Sequence, residues 1–271
     1  MTALILTLRE RPAQRVDLSA LTIDRLAGLS VAQIGALELP SGNRTIKAGD
    51  LFSISGEPGD TLEIRNSCDQ LDRIGQGMTK GSITIRGAAG SYLGAGLDGG
   101  RLELEGDAGA YTATGMRSGL IHVRGNVGDF VASAIAGEHR GMQGGAVVVS
   151  GNAGDRAGDR MRRGMLLIEG HAGDYCASRM VAGTLAVWGS VGRYPGLAMR
   201  RGTLLLQQAP AALLPTFNDC GEFPLAFLTL LARSWRALPG RYATLPDTAI
   251  RVRRFMGDLG NDGRGEILIR S

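Results

Sequence analysis

The sequence is short of cysteine, lysine, histidine and aromatic side chains, and it has no long apolar run. Its three cysteines, Cys68, Cys176 and Cys220, are odd in number, far apart and outside any C-x-x-C. Neither a disulfide framework nor a structural zinc is expected, and a reducing cytoplasm fits. The histidines, His122, His139 and His171, have no Cys, Asp or Glu partner at metal-ligand spacing. The longest apolar stretch, Leu225 to Ala232 interrupted by Thr229, falls far short of the ~20 residues that a membrane span needs. Met1 to Leu4 carry no basic segment ahead of an apolar one, so no secretory signal is expected. Lys47 and Lys80 are the two lysines among 30 basic residues; the rest are arginines, and the net charge is +4. That mildly basic balance comes without the aromatic-basic motifs of known nucleic-acid modules, so no nucleic-acid partner is expected.

Glycine is what the sequence has in excess: 42 of 271 residues, about twice the usual ~7%. No G-X-Y period runs through it, which excludes collagen. A hydrophobic content of 44% excludes a disordered chain. The glycines follow a repeat. Met78, Leu97, Met116, Met142, Met161, Met180 and Met199 align with steps of 19, 19, 26, 19, 19 and 19 residues, the long step holding an insertion around Ala134 to Gly141. A Gly follows each, at Gly81, Gly100, Gly119, Gly145, Gly164, Gly183 and Gly202. Two places on stand Ile83, Leu102, Ile121, Val147, Leu166, Leu185 and Leu204; two further on, Ile85, Leu104, Val123, Val149, Ile168, Val187 and Leu206. Alternation with period two predicts a short strand with one face in a core. A Gly-x-x-Gly pair follows, from Gly87/Gly90 to Gly189/Gly192, read as a turn with positive φ. An aromatic column comes next, Tyr92, Tyr111, Phe130, Tyr175 and Tyr194, broken by Arg156.

One such unit cannot bury its own apolar residues, whereas stacked units can. The expected fold is all-β: a right-handed parallel β-helix of 19-residue coils, the hand following from the preference of parallel crossovers. Its interior is a dry stack of side chains, with no room for catalysis. The β-helix is expected over 49–208, with an N-terminal extension or cap at 1–48 and a C-terminal extension at 209–271. Gly49 to Gly56 and Thr61 to Arg65 read as degenerate first coils or a cap. Thr22 to Leu29 and Ser30 to Leu37 read as short helices, the second opened by a Ser30–Gln33 capping box. Leu225 to Leu238 have helical spacing, and Gly265 to Arg270 read as a final strand. The outward column Thr84, Glu103, His122, Val148, Leu167, Ala186, Leu205 changes from polar to apolar along the stack. The apolar part requires a cover, either the C-terminal segment or a partner subunit.

No nucleophile or metal cluster emerges, and no catalytic residue is assigned. Gly94-Ala-Gly-Leu-Asp-Gly99 matches G-x-G-x-x-G, but its glycines belong to the repeat and no long helix follows. Asp129, Asp155 and Asp174 recur in the turns and read as hydrogen-bonded to turn amides rather than as acid–base pairs. Arg117, Arg162, Arg163, Arg200 and Arg201 follow the Met column. They read as solvated or salt-bridged side chains or, more sharply, as a track for an acidic partner or polyanionic ligand. Like charges stacked at ~4.8 Å repel, so counter-charges are expected beside them.

The unit Met-x-x-Gly-x-Ile/Leu-x-Val/Ile-x-Gly-x-Ala/Val-Gly-Asp-Tyr/Phe resembles the C-terminal glycine-rich β-helix domain of the glutamate synthase large subunit. The chain resembles the C subunit of formylmethanofuran dehydrogenase more closely: in Ile74-Gly-Gln-Gly-Met78, in the insertion Ala136 to Met142, in Val147 to Gly154, and in Arg254-Phe-Met-Gly-Asp258 followed by Gly265 to Ile269. This resemblance implies one of two settings. In methylotrophic bacteria the family's member belongs to a formyltransferase/hydrolase complex, which moves formyl from tetrahydromethanopterin to a methanofuran-like carrier and releases formate. In methanogens it belongs to a tungsten or molybdenum dehydrogenase. The arginine bias favours the first. The resemblance also implies a hetero-oligomer with a formyltransferase subunit, an amidohydrolase-like subunit and a further scaffold subunit. No cofactor is expected on this chain, the carrier and metal being expected in partner subunits. The rivals are a glutamate-synthase-like spacer module and an enzyme acting alone on polysaccharides.

Overall fold

The computed structural model describes residues 3–245 and 251–271; Met1, Thr2 and 246–250, the last within the C-terminal extension, lie outside the described residues. The N-terminal part contains β1 (Leu4–Leu8), β2 (Val16–Asp17), α1 (Ile23–Leu26), α2 (Val31–Gly35), β3 (Glu38–Ser41), β4 (Arg44–Lys47), α3 (Ala48–Leu51), β5 (Phe52–Ser55), β6 (Thr61–Ser67) and β7 (Leu71–Asp72). Each repeat then supplies one strand: β8 (Ser82–Gly87), β9 (Asp98–Leu104), β10 (Ser118–Val123), β11 (Gln143–Val149), β12 (Arg163–Ile168), β13 (Thr184–Val187) and β14 (Thr203–Leu206). Last come β15 (Asn218–Pro224), α4 (Ala226–Trp235), β16 (Arg251–Gly257) and β17 (Gly265–Arg270). Both short N-terminal helices form, and the Ser30–Gln33 capping box is closed in both directions.

The protein is mostly β. Thirteen strands form one large, mostly parallel sheet in the order β15-β16-β17-β14-β13-β12-β11-β10-β9-β8-β6-β1-β5. The 19-residue column is its register: Ile83 pairs with Leu102, Leu102 with Ile121, Ile121 with Val147, and so on to Leu204. All of these side chains are buried. A second line of parallel bridges joins Ala89, Ala108, Val127, Ala153, Ala172 and Val191 on successive repeats. Of the two segments read as first coils, Thr61–Ser67 is a parallel strand beside β8, whereas Phe52–Ser55 runs antiparallel to β1 and closes the sheet at that end. Leu4–Leu8 takes a parallel place next to β6. At the far end β17 adds a parallel strand to β14, β16 reverses direction, and β15 reverses again to run in the sense of the stack.

The turn glycines serve a purpose other than the expected one. From Gly106 to Gly192 none of the paired glycines has positive φ. What they permit is close approach: a Cβ at Gly106 would lie 2.5 Å from the Gly87 carbonyl oxygen, and one at Gly151 2.5 Å from that of Gly125. The left-handed backbone falls instead on the column Arg73, Tyr92, Tyr111, Phe130, Arg156, Tyr175 and Tyr194, with φ between 58° and 63°. Stacking accompanies it. Tyr92, Tyr111 and Phe130 lie face to face at centroid distances of 5.1 and 4.9 Å. The Arg156 guanidinium continues the column, 6.0 Å from the Phe130 ring and 4.6 Å from that of Tyr175, where cation–π attraction replaces ring stacking. The turn carboxylates tie coil to coil: Asp129 accepts the Asp155 amide at 2.8 Å, Asp155 that of Asp174 at 2.7 Å, and Asp174 that of Arg193 at 2.7 Å.

The outward column changes character as expected, and the chain's own C-terminal segment supplies the cover. Val148, Leu167, Ala186 and Leu205 form a second core with Leu228, Ala232, Trp235, Tyr242 and Leu245. His122 stands at the boundary, buried, with Nε2 3.2 Å from the Ser150 hydroxyl and Nδ1 4.0 Å from the Glu103 carboxylate. Burial pushes its pKa below the ordinary 6.5, and Glu103 partly opposes that shift. Folding therefore favours neutral His122: its contribution is intact above pH 6.5 and erodes as the pH falls below it, because the unfolded chain takes a proton that the folded one resists. Urea midpoints of His122→Gln should vary less with pH below 6.5 than those of the parent chain.

Candidate anion-binding site

Four of the five arginines singled out from the sequence share one corner of the stack. The amides of Arg162, Val181 and Arg200 each donate 2.8 Å bonds to the carbonyl of Met142, Met161 and Met180 on the preceding repeat. Arg162-Arg163 and Arg200-Arg201 are thus two repeats apart, with Val181-Ala182 between them. This corrects the expected row of adjacent charges. Spacing, not neutralisation, relieves the repulsion: two strand spacings are roughly 10 Å, about one Debye length at 0.1 M salt. Among the described residues, no carboxylate lies within ion-pair distance of Arg162, Arg163, Arg200 or Arg201. The Arg162 Nε is buried without a hydrogen-bond partner. Arg117 is not brought to this corner. It lies before the insertion, 3.8 Å from Asp98, beside a separate cavity of about 530 Å³ with Arg73, Tyr92 and Arg140.

Two further arginines complete the site. A cavity of about 410 Å³ is lined by His139, Arg160, Arg162, Arg179, Arg200 and Asn261 among others. Arg160 and Arg179 stand immediately before Met161 and Met180, where earlier repeats carry Gly77, Gly96 and Gly115. That replacement of glycine by arginine in a fixed column was the available signal. Arg179 is held by Asp159, which is only 2% exposed and accepts from Arg179 Nε at 2.8 Å, from its Nη2 at 2.6 Å and from the Ser178 hydroxyl at 2.7 Å. This two-point grip fixes the plane of the guanidinium. Asn261 is held from the C-terminal segment, its Nδ2 donating to the buried Asp258 at 3.0 Å, which also accepts the Ala198 amide at 3.0 Å. Two adjoining cavities, of about 440 and 460 Å³, share Arg200 and Arg201 and add Arg163 and Arg264. The result is a strip of guanidinium groups with His139 as its titratable imidazole.

Such a strip suits planar or multivalent anions, since the guanidinium fork matches carboxylate and phosphate oxygens. Its lining holds no thiol, hydroxyl nucleophile or paired carboxylates for acid–base work. Among the described residues no group of three His, Cys, Asp or Glu side chains is placed to hold a metal ion, and no helix is long and apolar enough to cross a membrane.

The GXGXG motif family model matches residues 71–218. The C subunit of the formyltransferase/hydrolase complex Fhc of Methylorubrum extorquens is 52% identical over 264 residues, 97% of this chain and 98% of that protein. The C subunit of the tungsten-containing formylmethanofuran dehydrogenase 2 of Methanothermobacter wolfeii is 36% identical over 98 residues, 34% of this chain and 36% of that protein. A chain in the crystal structure of the formyltransferase/hydrolase complex (FhcABCD) from M. extorquens in complex with methylofuran superposes with a TM-score of 0.93 at 40% identity, covering 98% of this chain and 99% of that one. The chain therefore belongs to the GXGXG-motif family and, within it, to the family formed by the C subunits of the formyltransferase/hydrolase complex and of its relative, formylmethanofuran dehydrogenase.

Proposed function

We propose that this chain is a non-catalytic structural and docking subunit of a cytoplasmic formyltransferase/hydrolase complex. Residues 49–208 wind as a right-handed parallel β-helix closed by the extensions 1–48 and 209–271. The complex moves formyl from formyl-tetrahydromethanopterin to a methanofuran-like carrier and releases formate. A formyltransferase subunit, an amidohydrolase-like subunit and a further scaffold subunit carry the reacting groups and the metal. The paired lines of parallel bridges support the coil reading, and the likeness to the Fhc C subunit over nearly the whole chain supports the hydrolytic setting. The tungsten or molybdenum dehydrogenase setting is the second reading, supported by a likeness confined to about a third of the chain.

The observation that carries the proposal is the arginine strip, in which Arg162, Arg163, Arg200 and Arg201 have no carboxylate partner among the described residues, on a scaffold whose core is filled. Its role is to hold an acidic part of the carrier, such as a polyglutamyl tail, while the reacting end visits other subunits. In the whole complex, replacing Arg162, Arg163, Arg200 and Arg201 with alanine should weaken carrier binding by roughly thirtyfold at low salt, with a smaller loss at high salt, because charge-assisted contacts are screened. Carrier affinity and turnover that are unchanged at every salt concentration would remove this role.

A further inference from the structure

The insertion that breaks the 19-residue period reaches the 410 Å³ cavity through His139, while Ile135, Glu138 and Arg140 border the separate 530 Å³ cavity. Residues 135–140 are all exposed. Backbone bonds hold the two ends of this loop to the next repeat: the Ala134 amide to the Asp159 carbonyl at 3.2 Å, and the Gly141 amide to the Arg160 carbonyl at 3.0 Å. Its tip has one side-chain tether among the described residues. Arg160 Nη1 reaches the Glu138 carbonyl at 3.4 Å and contacts the His139 imidazole at Nδ1. A guanidinium only donates, so the tether requires an unprotonated Nδ1, with the ring proton on Nε2.

The surroundings of His139 are cationic. Arg160, Arg162, Arg179 and Arg200 line the same cavity, Arg140 is its neighbour in the loop, and the nearby Asp159 is already engaged by Arg179 and Ser178. Glu138 approaches through its carbonyl; Asn261 is neutral, and Asp262 lines the adjoining cavity. A proton on His139 would set two N–H donors and two positive charges against each other at the tether. The same proton would add a cation to the cavity lining.

We propose that the insertion loop is a proton-sensitive flap on the arginine-lined cavity, latched by Arg160 through neutral His139 and released when that imidazole is protonated. This rests on the reading of the cavity as an anion site. Release frees Arg160 for the anion and uncovers the rim, so loop opening and anion affinity rise together as the pH falls.

The test uses the full chain, with hydrogen exchange of the 135–140 amides corrected for intrinsic rate and titration of a hexaglutamate peptide at constant ionic strength. Lowering the pH from 7.5 to 5.5 should raise loop exchange and tighten peptide binding roughly fivefold. His139→Asn, which keeps an acceptor at every pH, should abolish both changes. Arg160→Gln should leave the loop in fast exchange throughout. Peptide binding with pH-independent loop exchange in the parent chain would overturn the flap while leaving the anion site standing. Absence of peptide binding with the expected loop behaviour would overturn the anion site and leave the latch. Identical pH dependence in His139→Asn and the parent would also overturn the latch.

Discussion

Replacing Trp235 with alanine should lower the unfolding free energy by about 3–5 kcal/mol, the usual cost of emptying a buried tryptophan site. Trp235 is 1% exposed and is the keystone of the C-terminal cover. Its indole Nε1 lies 3.1 Å from the Met165 sulfur, and its ring meets that of Tyr242 edge to face, 5.3 Å between centroids. Leu228 and Ala232 bury the same side of α4. Without the indole, this short helix loses its largest anchor on Val148, Leu167, Ala186 and Leu205, leaving an apolar sheet face toward water. The remaining tryptophan reports on that event. Trp188 packs against Tyr242, 5.8 Å between centroids, and carries the Arg241 guanidinium 4.9 Å from its own ring. Its fluorescence should shift to the red at urea concentrations where the stacked strands are still intact. Unchanged Trp188 emission together with a loss below about 1 kcal/mol would contradict this account.

Gly144→Ala should be nearly as damaging, by the opposite mechanism. A Cβ there would stand 2.1 Å from the Arg117 carbonyl oxygen, a backbone atom of the preceding repeat that cannot rotate away. Two coils must separate, and the expected cost is about 3 kcal/mol, at the upper end for overpacking. Gly115→Ala adds the same methyl group where nothing lies within 4 Å, at φ 63°. The chain already places alanine in such a conformation at Ala113, Ala132, Ala177 and Ala198. That variant should lose no more than about 1 kcal/mol. Urea unfolding of the two variants checks the contrast; equal losses would show that backbone conformation, rather than approach between coils, selects these glycines.

Much of the stack was legible because its register and its sequence period are the same quantity. Ile83, Leu102 and Ile121 pair as their spacing implies, and the change at Val148 announced the cover. The ends were not legible, since stacking has no memory of sequence distance. Leu4 and Leu6 continue the core column beside Leu62 and Ile64 although β2 to β5 lie between them in the chain, and Ile267 returns beside Leu204 after β15, α4 and β16. The arginine site was half legible. Arg162, Arg163, Arg200 and Arg201 follow the methionines, but the relief of their repulsion depends on Val181 and Ala182 lying between them. The contribution of Arg160 and Arg179 required reading a glycine column for its exceptions.

The antiparallel strands at both extremities have a developmental consequence. With β5 reversed at one end and β16 at the other, the parallel ladder is closed at each end by an antiparallel pair. A further parallel coil that keeps the register of the repeats would enter between these two reversals, as a whole 19-residue period. Each duplication placed between β10 and β12 would carry the guanidinium strip about 4.8 Å further from the N-terminal sheet, so the number of coils sets the distance between the two.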